Sequence, residues 1–154
     1  MELSDAVGII LAVVFGATIG LERESSGKAA GLRTNVVICL GAAVFTIISR
    51  KMGAGTGDSA TRIAAQIVTG VGFLGAGAII QDRGGIHGLT TAATIWLVAS
   101  IGMACGIRLY LLALVSTFVS IVVLLGLRWL ARCVETHRGK YKSKSGSKSE
   151  DRCL

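Results

Sequence analysis

LSDAVGIILAVVFGATIGL, residues 3–21, holds one ionisable side chain, Asp5, near its start and no other until Glu22 follows it. A helix rises about 1.5 Å per residue, so roughly 20 apolar residues cross the ~30 Å hydrocarbon core of a bilayer. This stretch has that length and that composition. Four more follow it, at 34–49, 63–80, 89–104 and 109–127, and none of them contains Lys, Arg, Asp or Glu. Short, glycine-bearing, charged breaks separate them. The pattern predicts an all-α, polytopic membrane protein with five transmembrane helices.

Composition agrees with this. A chain of 154 residues that is 52% hydrophobic, with 21 glycines and no proline, lies outside the range of ordinary soluble domains. Within lipid every backbone polar group needs a partner inside the protein, which leaves helices or closed barrels. No stretch alternates as a membrane strand does. The five spans make one membrane domain, 1–130. The remainder, 131–154, is a polar, basic, low-complexity tail that cannot bury enough apolar surface to order itself and is predicted to be disordered and cytoplasmic. Attraction to anionic lipid is one reading of its charge, and a solvated tail that fixes orientation is the other. Aromatic residues to interleave with the charges are scarce, which argues against nucleic acid.

Orientation follows from Lys and Arg, which cytoplasmic loops retain. With the N-terminus outside, the inner segments hold Arg23, Lys28, Arg33, Arg83, Arg128 and the basic tail, while the outer segments hold only Arg50, Lys51, Arg62 and Arg108. The expectation is N-terminus outside and C-terminus cytoplasmic. A secretory signal would carry its positive charge before the apolar run, and here the charge comes after it, so the first span is read as retained. Cys39 and Cys105 fall within spans and Cys133 and Cys153 in or near the tail, with no CxxC spacing, which points to free thiols and to neither a disulfide scaffold nor a zinc site.

Helices in lipid associate through close backbone approach at small residues. Gly8, Ala12, Gly16 and Gly20 form such a stripe on the first span, and Ala65, Gly72 and Ala76, with Thr69, form one on the third. Spans one and three are expected in mutual contact, and self-association through the same stripes stays open. Gly70 to Gly75 matches GxGxxG, but it lies inside an apolar run without the strand before it or the acidic residue after it that a dinucleotide site needs. No cofactor is called for.

Ionisable groups near the bilayer are costly and therefore informative. They sort into two layers. The outer one holds Asp5, Asp58, Arg62 and Gln66, and contact between spans one and three would set Asp5 beside Arg62, either as an ion pair or as a cation or proton site. The inner one holds Glu22, Arg23, Glu24, Arg33, Asn35, Asp82, Thr90 and Thr91. Oxygen ligands of this kind suit a hard cation such as Mg²⁺. The same residues also serve as interfacial charges and caps, with Thr90 or Thr91 capping span four. Whether a metal binds is left open. With two histidines, His87 and His137, and no activated nucleophile pair, nothing points to an enzyme.

Several of these residues stand in longer motifs: Gly20-Leu21-Glu22-Arg23-Glu24, Gly31-Leu32-Arg33-Thr34, Asp58-x-x-x-Arg62-Ile63-Ala64-Ala65-Gln66, Gly70-x-Gly72-Phe73-Leu74-Gly75-Ala76-Gly77 and Gly88-Leu89-Thr90-Thr91-Ala92-Ala93-Thr94-x-Trp96. In this order they resemble the MgtC/SapB family of bacterial inner-membrane proteins, over about residues 1–127. The resemblance implies a small multi-span protein tied to growth in low magnesium and, in pathogens, to survival within phagocytes. It further implies regulation of another membrane protein, an ATP-driven pump or the ATP synthase. The family's long form carries a soluble C-terminal domain where this chain has a basic tail, so the short form is the nearer match. A small Mg²⁺ transporter or channel is the alternative, supported by the oxygen-rich inner layer. The bilayer and another membrane protein are the expected partners.

Overall fold

A computed structural model describes residues 2–53, 57–82, 85–126 and 129. The chain forms α1 (Leu3–Ser25), α2 (Leu32–Met52), α3 (Gly57–Gly77), β1 (Ile80–Asp82), β2 (Gly85–His87), α4 (Leu89–Gly106) and α5 (Tyr110–Gly126). Among the described residues it is all-α apart from one antiparallel hairpin, in which Ile80 pairs with His87 and Asp82 with Gly85. Of the five helices, α1, α2 and α4 are long and apolar enough to cross a membrane. The apolar parts of α3 and α5, Ala64–Gly77 and Tyr110–Gly126, are shorter. In α3 the reason is its first turns, where Asp58, Ser59, Thr61 and Arg62 precede the apolar run. The tail 131–154, with Cys133 and Cys153, lies outside the described residues, as does Arg83. The chain divides into two units, 1–118 and 119–154, and the second carries the end of α5.

Within the first unit, α2 and α4 pack on each other, and each packs on both α1 and α3. The expected contact between the first and third spans is therefore corrected: the central pair is α2 and α4. Glycine explains how closely they meet. A β-carbon on Gly102 would lie 2.1 Å from the Cys39 carbonyl oxygen, and one on Gly106 would lie 2.7 Å from that of Ala43. Cβ atoms do not approach oxygen so closely, so α4 can lie on α2 only because both positions are glycine. Buried Cys39, Ala42 and Ala43 of α2 and Val98, Ala99, Ile101 and Cys105 of α4 fill this seam, and both cysteines are free thiols.

The α1 stripe is buried in the same way, against different partners from those expected. A β-carbon at Gly16 would meet Cys39 Cβ at 2.9 Å, one at Gly20 would meet Leu32 Cα at 2.8 Å, and one at Gly8 would meet the Cys105 carbonyl oxygen at 2.7 Å. Ala12 is fully buried with them. By contrast Ala65, Gly72 and Ala76 of α3 are exposed, and α3 turns Val71 inward instead. Hydroxyls within these apolar helices are satisfied locally. Thr18, Thr46, Thr69, Thr94 and Thr117 each donate to the carbonyl four residues earlier, at 2.7 to 3.2 Å, which removes the cost of an unpaired hydroxyl in lipid.

Between α3 and α4, Gly85 at the start of β2 and Gly88 after its end hold conformations that other residues rarely adopt. Gly85 has φ +128° and Gly88 φ +89°. Gly88 is also the N-cap of α4, so neither Thr90 nor Thr91 caps that helix as expected. The left-handed backbone at Gly88 starts the helix at Leu89, which puts both threonines inside its first turn.

Candidate functional site

The expected outer layer forms a different cluster, built where α1 starts and where α2 and α4 end. Asp5 is 2% exposed and sits in the first turn of α1, where the helix N-terminus favours a carboxylate. Lys51 Nζ lies 2.7 Å from its Oδ2, Arg50 pairs with its Oδ1, and Arg108 also reaches that Oδ1, at 3.1 Å. Glu2 donates its backbone N–H to Asp5 at 3.3 Å and pairs its own side chain with Arg108. Tyr110 Oη donates to the Ser4 carbonyl at 2.7 Å, tying the start of α5 to the start of α1. Two carboxylates thus hold three cations from two other segments of the chain, the end of α2 and the end of α4.

Arg108 is the sole non-glycine residue with positive φ, +69°, among the described residues. It follows the end of α4, where glycine is the usual choice, and its backbone N–H returns to Cys105 at 3.1 Å. The side chain gives the position its role, because the Arg108 guanidinium reaches both carboxylates. Hydrogen bonding and charge from Arg108 hold the Glu2 carboxyl below its usual value, and the same hydrogen bond raises Arg108. A depressed carboxyl contributes stability above its unfolded value, so this contact is present at neutral pH and is lost as pH falls through the folded value.

Arg62, the expected partner of Asp5, is exposed on α3, which packs on α2 and α4. Gln66 is exposed one turn further along the same helix. Asp58 and Asp82 hold backbone positions in α3 and β1, and their side chains are outside the described residues. Arg50, Lys51, Arg108 and Glu2 belong to the Asp5 cluster without being among the expected site residues. Their signal was the alternation of the spans, which brings the ends of spans two and four beside the start of span one.

At the other end of the bundle the α1–α2 connection is a built turn. Gly27 adopts φ +65°, and Ser26 and Lys28 return their N–H groups to Glu22 and Arg23, each at 3.0 Å. Glu24 accepts the N–H of Leu32 at 2.8 Å, satisfying one of the free donors at the start of α2. Asn35, fully buried, donates its side-chain amide to the carbonyls of Ala30 and Gly31, both at 2.8 Å. Glu22 and Arg23 are buried neighbours 3.9 Å apart, and Ser26 Oγ donates to Glu22 at 2.7 Å. Of the remaining residues, Thr91 is buried while Arg33, Glu24 and Thr90 are exposed. Among the described residues no group of three or more His, Cys, Asp or Glu is placed to hold a metal ion.

The cluster around Asp5 makes a direct prediction. Asp5→Ala is expected to lower the thermal midpoint in detergent far more than Arg62→Ala, because it removes the buried carboxylate shared by Arg50, Lys51 and Arg108 and leaves Arg108 with Glu2 alone. Adding Arg108→Ala to Asp5→Ala is expected to recover part of the loss, whereas Asp5→Ala and Arg62→Ala are expected to add independently. Strict additivity for Asp5 with Arg108 would contradict the cluster.

The profile of the MgtC family matches residues 9–133 of this chain. YhiD of Escherichia coli K12, whose name marks it as a candidate magnesium transporter, is 45% identical over 124 residues, covering 77% of this chain and 58% of YhiD. MgtC of Salmonella typhimurium LT2 is 45% identical over 113 residues, 73% of this chain and 48% of that protein. MgtC of Brucella abortus is 45% identical over 125 residues, 80% and 51%. This chain therefore spans about half the length of the curated relatives it matches. No solved structure matches it. A family profile that covers most of the chain, and relatives nearly half identical across its helices, leave one assignment: the chain belongs to the MgtC family.

Proposed function

We propose that this protein regulates another membrane protein, an ATP-driven pump or the ATP synthase, within magnesium homeostasis, and that it has no catalytic activity of its own. Its place in this reading is the bacterial inner membrane, with the N-terminus outside and the C-terminus cytoplasmic. The magnesium link rests on the family and on the name that YhiD carries.

One observation supports regulation over transport. Each described carboxylate whose side chain is placed has a donor or cation of the protein itself beside it: Glu2 has Arg108, Asp5 has Arg50, Lys51 and Arg108, Glu22 has Ser26 on Oε1 and Arg23 at 3.9 Å from Oε2, and Glu24 has the Leu32 N–H. A carboxylate neutralised by a guanidinium is a poor ligand for a cation in transit. What the bundle offers outward is apolar, including Val37, Phe45, Phe73 and Trp96, and such faces suit a neighbouring helix.

Co-reconstitution tests the reading. Adding the purified protein to liposomes that contain an ATP synthase or an ATP-driven magnesium pump is expected to give a saturable change in ATP turnover by one of them. Unchanged turnover by both, with the protein shown to be folded and co-inserted, would overturn it.

A further inference from the structure

The cluster around Asp5 shows its two signs of charge unequally to its surroundings. Among the described residues it holds three cations, Arg50, Lys51 and Arg108, against two carboxylates, so one positive charge has no counterpart within it. The carboxylate that all three share is buried, whereas the side chains of Lys51, Arg50 and Arg108 are 46%, 32% and 33% exposed. Glu2 is exposed as well, but its carboxylate is paired with Arg108. What Arg50 and Lys51 turn outward is therefore cationic.

Donors are in excess there too. Arg50 and Lys51 are consecutive in the last turn of α2, and they take Oδ1 and Oδ2 of the one carboxylate, which sets their heads side by side. A guanidinium has five N–H groups and an ammonium three, and neither side chain has a second acceptor among the described residues. Asp5 is fully used, because its oxygens also accept from Arg108 and from the Glu2 N–H. A ligand for this place has to be an anion with several oxygens close together.

Its level in the membrane narrows the choice. The cluster lies where α1 begins and α2 ends, and helices of 23 and 21 residues are about 32–35 Å long, so these ends reach the head groups. Phosphate is the oxyanion concentrated there, and charged Arg and Lys donors are its usual protein partners. The geometry points to a phosphate-binding site on Arg50 and Lys51, filled by the head group of an anionic phospholipid or by free phosphate. Asp5 positions the two heads from beneath, and Arg108 adds its charge. The phosphate supplies both the missing negative charge and the missing acceptors, whereas a choline head group brings a cation of its own. This site is independent of the regulatory reading.

Lipid binding to the purified protein in detergent, counted by native mass spectrometry, tests it. Phosphatidylglycerol is expected to bind saturably and more tightly than phosphatidylcholine. Lys51→Gln leaves Asp5 with Arg50 and Arg108, and it is expected to weaken phosphatidylglycerol about fivefold, which corresponds to about 1 kcal/mol for one cation near an anionic head group. Lys51→Arg is expected to restore the affinity. Arg62→Gln, which removes an exposed cation from α3, is expected to change nothing. Displacement of phosphatidylglycerol by inorganic phosphate would support the site with free phosphate as a sufficient ligand, and retention against excess phosphate would support it with the lipid as the ligand. Phosphatidylglycerol bound no more tightly than phosphatidylcholine by the parent protein overturns the proposal. So does equal weakening by Lys51→Gln and Arg62→Gln.

Discussion

Gly102→Ala is expected to destabilise the bundle by about 3 kcal/mol or more, a large share of the stability of a small domain. The new methyl would stand 2.1 Å from the Cys39 carbonyl oxygen and 3.0 Å from Ala42 Cβ. The nearer atom is backbone, so no rotamer change relieves the clash, and α4 has to move off α2. That separates the seam on which α1 and α3 both pack. The companion variant Gly72→Ala adds the same methyl on the open face of α3 and is expected to be neutral or to gain about 0.5–1 kcal/mol from helix propensity. Thermal midpoints of the two in one detergent give the comparison. Equal effects would mean that the α2–α4 seam is not the tight contact described here.

Gly88→Ala is expected to cost about as much, for two separate reasons. Its φ of +89° lies where a β-carbon is strained, about 1–3 kcal/mol, and the methyl would also come within 1.9 Å of the Ala78 carbonyl oxygen. Gly85→Ala separates the two terms. At φ +128° with nothing within 4 Å it carries the strain alone and is expected to be the milder variant. A Gly88→Ala protein as stable as the parent would place the start of α4 elsewhere.

Four helices were legible in the sequence to within a few residues. The apolar runs 3–21, 34–49, 89–104 and 109–127 became α1, α2, α4 and α5, because run length against bilayer thickness is a strong constraint. Span three was displaced. Its run, 63–80, includes the last residues before the hairpin, and α3 begins earlier, at Gly57, and ends at Gly77. Two strands of three residues are too short to show a period, and Gly85 and Gly88, which open β2 and start α4, look in sequence like the packing glycines around them.

Partners were harder to read than faces. The ladder Gly8, Ala12, Gly16 and Gly20 marks one side of α1, but nothing in its spacing states which helix it meets. That depends on adjacency, and adjacency placed α2 and α4 there. The same gap misassigned Asp5. Its burial and its need for a counter-charge follow from a carboxylate at the start of an apolar helix, yet the choice among Arg50, Lys51, Arg62 and Arg108 is made by which helix ends converge. At the opposite end the turn from Gly20 to Asn35 could be recognised as a unit, because its charges and amide serve neighbouring backbone groups and local spacing is enough to define it.

Proteoliposomes holding this protein alone, loaded with a magnesium-sensitive dye and placed in an Mg²⁺ gradient with and without a membrane potential, test the central claim most directly. The account, in which the bundle's own cations and backbone donors occupy its carboxylates, predicts the same dye signal as in protein-free liposomes. Mg²⁺ entry that rises with protein content and is abolished by Asp5→Asn or Glu22→Gln, in variants that remain folded, would contradict it.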